Sequence, residues 1–122
     1  MAGEKRRILV VDDNVDSARV TGLLLSATGF EVRLAHTGPE ALEVAAQFAP
    51  AAVLLDIGLP GMDGYEVARE LRGTRGAELL LVALSGYGQD EDRRRSAEAG
   101  FNHHLLKPAD PAQMIGLLSG AA

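Results

Sequence analysis

Two adjacent aspartates, Asp12 and Asp13, follow the apolar run Ile8-Leu9-Val10-Val11. Like charges side by side at the end of a buried strand repel, so the pair needs a compensating charge. A third aspartate, Asp56, ends the run Ala52-Val53-Leu54-Leu55, and Ser85 ends Leu79 to Leu84. Lys107, followed by Pro108, ends the stretch from Asn102 to Leu106. Three carboxylates brought together hold protons abnormally tightly unless a cation answers them. An all-oxygen site that retains waters suits Mg²⁺, and such an ion typically serves phosphate chemistry. Lys107 adds a mobile positive donor, and Ser85 a hydroxyl that can meet a phosphoryl oxygen. A carboxylate beside both is a nucleophile placed where developing phosphoryl charge is stabilised. The residues therefore predict Mg²⁺-dependent phosphoryl transfer to an aspartate. A lone strand-end aspartate is more often a helix cap or turn residue, and Asp63, before Gly64, is read that way.

These groups converge only if the chain folds so that the strand ends share one rim. Strands are predicted at Arg7–Val11, Glu31–Ala35, Ala51–Leu55, Leu79–Leu84 and Asn102–Leu106. Three are continuously apolar, as parallel strands covered on both faces must be. The second alternates polar and apolar residues and reads as an edge strand.

Helices fit between them. Asn14 is a plausible N-cap, Val20, Leu23, Leu24 and Ala27 recur at helical spacing, and Gly29 ends the run. Pro39 suits a first turn, after which Ala41, Leu42, Ala45 and Ala46 line one side. The third helix begins at Asp63-Gly64 and carries Val67, Ala68 and Leu71. The fourth, about Gln89 to Ala99, is mostly charged and should pack shallowly. Asp110-Pro111 caps the fifth, whose buried side is Met114, Leu117 and Leu118. Five β–α pairs in series imply an α/β fold, an open parallel sheet with right-handed crossovers and helices on both faces. In such sheets functional groups gather beyond the carboxyl ends of the strands.

Composition narrows the function classes. The 122 residues suit one domain, with residues 1–6 and 120–122 as tails around a body at 7–119. With no cysteine, disulfides and thiolate metal sites are impossible. A net charge of -5 argues against general nucleic-acid affinity. No apolar run is long enough for a membrane span or signal-peptide core, so a cytoplasmic location is expected. Arg93 to Arg95 form one basic run, read as a solvated helix face answered by Asp90, Glu91 and Asp92.

The segments VVDDN, LLDIGLPGMDG (Leu54 to Gly64), ALSGYG (Ala83 to Gly88) and LLKP (Leu105 to Pro108) together resemble the receiver domain of two-component response regulators, over Arg7 to about Ser119. The resemblance implies a flavodoxin-like, CheY-like sheet in the order 2-1-3-4-5. It implies that Asp56 accepts a phosphoryl group from a histidine kinase or histidine phosphotransfer protein. Asp12 and Asp13 are then expected to hold Mg²⁺ with Asp56 and the main-chain carbonyl of Gly58. Ser85 and Lys107 are expected to contact the phosphoryl oxygens, and the Lys107–Pro108 bond to be cis. His104 holds the position whose side chain follows the movement of Ser85, although a surface imidazole there is an equal reading. His36 and His103 have no partner at metal spacing and are read as structural or solvated. Gly58 and Tyr87 hold the two positions that tune phosphoryl lifetime; the first offers no side chain to orient water and the second can cover the site, which predicts slow self-dephosphorylation.

The resemblance further implies a signalling switch that presents its fourth helix, fifth strand and fifth helix to a downstream protein. It is expected to catalyse only its own phosphorylation and dephosphorylation. Two alternatives are a degenerate receiver that serves only as a protein-binding module and a small aspartyl-phosphate phosphatase. The first usually lacks one of the acids, the hydroxyl or the lysine, all of which are present. The second needs a further acid/base and a substrate-covering segment, and neither is visible. The stretch from Ala83 to Pro108 resembles receivers of hybrid histidine kinases, so the chain is expected to be a stand-alone receiver or one from a larger protein.

Overall fold

The computed structural model describes residues 5–58, 64–86 and 90–120, with backbone alone for residues 90–93 and 96. Five strands alternate with five helices: β1 (Arg7–Val11), α1 (Val15–Thr28), β2 (Glu31–Ala35), α2 (Gly38–Phe48), β3 (Ala52–Asp56), α3 (Gly64–Arg75), β4 (Leu80–Ser85), α4 (Asp90–Ala99), β5 (His103–Leu106) and α5 (Pro111–Leu118). All strand pairs are parallel, in the order β2-β1-β3-β4-β5. This is the expected doubly wound order, with the alternating strand β2 at one edge.

The apolar runs are continuous because each strand feeds two cores. Leu9, Val11, Val53, Leu55 and Leu81 face α2, α3 and α4, where Val67, Leu71 and Phe101 meet them. Ile8, Val10, Leu54 and Val82 face the other way, onto Leu25, Met114 and Leu118. Successive strand side chains point to opposite faces, so a two-sided sheet leaves no polar position in the middle of β1, β3 or β4.

Local chemistry sets the helix ends. The side chains of Asn14, Thr37 and Asp110 accept backbone N–H groups of Ser17, Glu40 and Gln113, and Gly29 closes α1 in the left-handed region. The buried face of α1 differs from the expected stripe. Ala18, Gly22 and Leu25 face the sheet, whereas Val20 and Leu23 are 67% and 65% exposed. The reason is close approach: a Cβ on Gly22 would come within 3.0 Å of Leu34. Small residues at i and i+4 let α1 sit low on the sheet and turn its larger side chains outward. Arg6 belongs to the folded body, because its side chain donates to the Leu118 carbonyl and its own carbonyl accepts from Glu31 N–H. Among the described residues no helix is long and apolar enough to cross a membrane.

Candidate phosphoacceptor site

The carboxyl ends of β1, β3, β4 and β5 form one rim, and ladder continuity fixes which residues meet there. Asp56 is the last residue of β3 and pairs with Leu84; Ser85 ends β4 and pairs with Leu106. Beyond the ladder, Lys107 N–H donates to the Ser85 carbonyl, and Asp12 N–H to the Ala35 carbonyl. These bonds carry Asp12 and Lys107 one step past their strands while holding their backbones in register with the neighbouring strand ends. The Lys107–Pro108 peptide bond is cis.

The rim gathers four of the charged groups that the sequence singles out. Carboxylate oxygens of Asp12, Asp13 and Asp56 all lie within 4.8 Å of one another. Asp12 and Asp56 are buried, and Asp13 is open to solvent. Asp12 Oδ1 accepts the Asn14 N–H at 2.9 Å, and Asp56 Oδ1 accepts the Gly58 N–H at 3.0 Å. Lys107 Nζ donates to Asp56 Oδ2 at 2.8 Å. This is an ion pair between a carboxylate that is 8% exposed and an ammonium that is 40% exposed, so the cation keeps part of its hydration and its mobility.

The cluster bears an electrostatic cost. Burial lifts the Asp12 pKa above the ordinary carboxylate value, and the charges of Asp56 and Asp13 lift it further. The Asn14 N–H and the Lys107 charge only partly offset this. For Lys107, burial favours the neutral amine, but the Asp56 hydrogen bond and the charges of Asp56, Asp12 and Asp13 outweigh it and raise the pKa. One ammonium therefore answers three carboxylates, and the oxygen-only donor set fits a hard divalent cation.

Ser85 lies at the other side of Asp56 and is 7% exposed. Its Oγ is 2.7 Å from His104 Nε2, so the hydroxyl and the imidazole share a proton donor–acceptor pair across β4 and β5. His36 Nδ1 lies 3.1 Å from the Asp12 carbonyl oxygen, a structural contact beside the site, and His103 is exposed. Tyr87, the second lifetime position, and Asp63 lie outside the described residues.

Two residues shape the site without having been singled out for it. Gly64 opens α3 directly against the end of β3. A Cβ there would stand 2.6 Å from Ile57 Cα and 3.0 Å from the Asp56 carbonyl oxygen, and its N–H donates to the Ile57 carbonyl. The Asp-Gly pair in the sequence signals a helix start but not this contact. Arg95, read from sequence as part of a solvated face, instead lies over the Tyr65 ring, 4.3 Å from its centroid. It lines a cavity of about 230 Å³ together with Asp56, Gly58 and Ser85. No short-range sequence pattern links Arg95 to residues about thirty and forty positions earlier.

A parallel α/β sheet with an acidic cluster, a hydroxyl and a lysine at its carboxyl rim defines a receiver-type signalling domain. The chain belongs to that family: the family model "Response regulator receiver domain" matches residues 8–119. It is 36% identical over 112 residues to an uncharacterised 14.6 kDa protein of Leptolyngbya boryana, covering 91% of this chain and 86% of that one. It is 41% identical over 102 residues to the response regulator MprA of Mycobacterium tuberculosis, covering 84% of this chain and 44% of MprA. The chain thus spans less than half the length of that relative. A CheY-like receiver domain from Methanospirillum hungatei superposes with a TM-score of 0.89 at 28% identity, covering 96% of this chain and 93% of that one.

Proposed function

We propose that the chain is a phosphoacceptor switch: Asp56 takes a phosphoryl group from a phosphohistidine and the receiver surface responds. The observation that carries this reading is the Lys107–Asp56 pair at 2.8 Å inside a cluster of three carboxylates. Gly58 N–H and Lys107 Nζ each engage one oxygen of Asp56, which fixes the plane of the carboxylate before reaction. An Asp56 oxygen attacks phosphorus, the donor's P–N bond breaks, and the leaving imidazole nitrogen retains the electron pair and takes a proton. Lys107 then follows the charge onto the phosphoryl oxygens. Asp12, Asp13, Asp56 and the main-chain carbonyl of Gly58 would hold Mg²⁺, which when bound would supply the neutralisation of negative charge that lets two anions approach. Ser85 leaves His104 to donate to a phosphoryl oxygen, and the freed imidazole is the element that repositions.

The donor is a histidine kinase or histidine phosphotransfer protein. A groove of about 730 Å³ between α1 and α5, lined by Val20, Leu24, Ala109 and Met114, opens beside Asp12 and Lys107. It offers such a protein an apolar footing next to the acceptor, and Val20 in its lining is exposed. The output partner is a protein that reads α4, β5 and α5. The domain turns over no external substrate beyond its own phosphorylation and dephosphorylation, in the cytoplasm. Gly58 carries no side chain to orient an attacking water, which favours a long-lived phosphoryl group; if the Tyr87 position tunes lifetime by shielding, Tyr87→Ala should shorten it. The direct test is intact mass after incubation with acetyl phosphate and Mg²⁺. Wild type should gain one phosphoryl group and Asp56→Asn none; an equal gain in both overturns the assignment.

A further inference from the structure

Formation of an aspartyl phosphate unbalances the site, and the structure holds a cation beside it that the reaction does not use. Asp12, Asp13 and Asp56 contribute three negative charges. Lys107 and one divalent cation together answer all three. A phosphoryl group carries nearly two negative charges where the Asp56 carboxylate carried one, which leaves about one in excess. Arg95 of α4 lines the same cavity as Asp56 and Ser85.

Its surroundings prepare it for an anion. The guanidinium lies over the Tyr65 ring, and Tyr65 is buried with its ring edge-on to Phe101 at 6.5 Å and 80°. That platform belongs to the core between the sheet and α2, α3 and α4. Stacking occupies a guanidinium's face and leaves its edge N–H groups available in a fixed fork, the geometry that suits two phosphoryl oxygens. Among the described residues no hydrogen bond or ion pair engages this guanidinium.

Resting on the phosphoacceptor reading above, we propose that Arg95 is a phosphoryl-binding residue. It recognises the acyl phosphate on Asp56 and ties α4 to the modified site. This gives the switch a connection to its output helix that is separate from the Ser85–His104 pair. An arginine that only packs on Tyr65 predicts no effect on anion affinity, which makes the two roles separable.

The test uses beryllofluoride with Mg²⁺ as the phosphoryl probe, read by titration and by the backbone amide shifts of residues 94–99. Arg95→Gln should bind the probe about tenfold more weakly than wild type, the effect of one charge-assisted contact. Arg95→Lys should fall between them, because it keeps the charge and loses the fork. Unfolding in urea should shift by no more than the loss of one exposed cation–π stack allows, and Mg²⁺ affinity without beryllofluoride should be unchanged in both variants. The α4 shifts seen on probe binding to wild type should be reduced in Arg95→Gln. Equal probe affinity in wild type and Arg95→Gln overturns the role of Arg95 alone, as does a parallel loss of Mg²⁺ affinity. No uptake of the probe by wild type overturns the phosphoacceptor reading, and this inference with it.

Discussion

Removing the charge of Asp12 should stabilise the metal-free protein, although Asp12 is buried and hydrogen-bonded. In Asp12→Asn the amide oxygen can accept the Asn14 N–H that Asp12 Oδ1 accepts at 2.9 Å, so the turn into α1 is kept and only charge is lost. Two unit charges 4.8 Å apart, the spacing that bounds the acidic cluster, repel by about 3.5 kcal/mol at an effective dielectric of 20. Asp12 has two such neighbours and one compensating cation, Lys107, and the rim is open to water on one side. A net gain of about 2 kcal/mol on neutralisation follows. Urea unfolding with and without Mg²⁺ reads it directly. Wild type should gain about 2.7 kcal/mol at a Mg²⁺ concentration 100-fold above its dissociation constant. Asp12→Asn should start higher without the ion and gain less from the same concentration.

The pH dependence carries the same sign. The folded chain holds the Asp12 proton more tightly than the unfolded chain does, because burial and the neighbouring carboxylates raise its pKa. The penalty is therefore complete above the folded value and lifts as the pH falls through it. The advantage of Asp12→Asn over wild type should shrink over that acid range. A variant no more stable than wild type without Mg²⁺, or one that gains as much from the ion, refutes the electrostatic reasoning.

Three further perturbations follow from other contacts. Lys107 has its pKa raised by the carboxylates, so the ion pair contributes fully below the ordinary lysine value of 10.5 and is lost as pH rises through the folded value; Lys107→Met should remove that alkaline loss from the stability–pH curve, and parallel curves contradict this. Gly64→Ala places a methyl group against Ile57 and the Asp56 carbonyl, and should cost about 2 kcal/mol in urea unfolding and weaken beryllofluoride uptake by displacing Asp56. Arg72, whose pKa is lowered by burial, donates to the carbonyls of Gly76, Leu79 and Gly100 and to Asn102 Oδ1. Arg72→Ala should lose about 3 kcal/mol with no change in phosphoryl uptake at saturating Mg²⁺, since the bonds join α3 to the starts of β4 and β5, at the end of the sheet away from Asp56.

The five β–α pairs and the convergence of Asp12, Asp13, Asp56 and Lys107 were legible in the sequence because both depend on near-neighbour signals, whereas the strand order followed only from the family resemblance. Continuous apolar runs mark two-sided strands, and a polar residue that interrupts such a run falls at the strand's end. The face of α1 was misjudged because helical spacing weighs hydrophobicity, whereas Ala18 and Gly22 are the residues buried there and Gly22 is set by its distance to Leu34. The position of Arg95 was hidden for a related reason. Three consecutive arginines look alike in sequence, and only the packing of α4 on α3 sends one of them over Tyr65. Gly64 likewise shows its constraint only when the backbone of β3 is laid against it.

The central claim, that Asp56 is the phosphoacceptor, is tested most directly by trapping the acyl phosphate. Protein treated with acetyl phosphate and Mg²⁺ is reduced with borohydride, which converts a phosphorylated aspartate to homoserine, and the modified position is found by peptide mass spectrometry. Homoserine is expected at position 56 and at no other aspartate, with none formed when Mg²⁺ is chelated. Homoserine at Asp12 or Asp13, or unmodified Asp56 in protein that has gained a phosphoryl group, would contradict it.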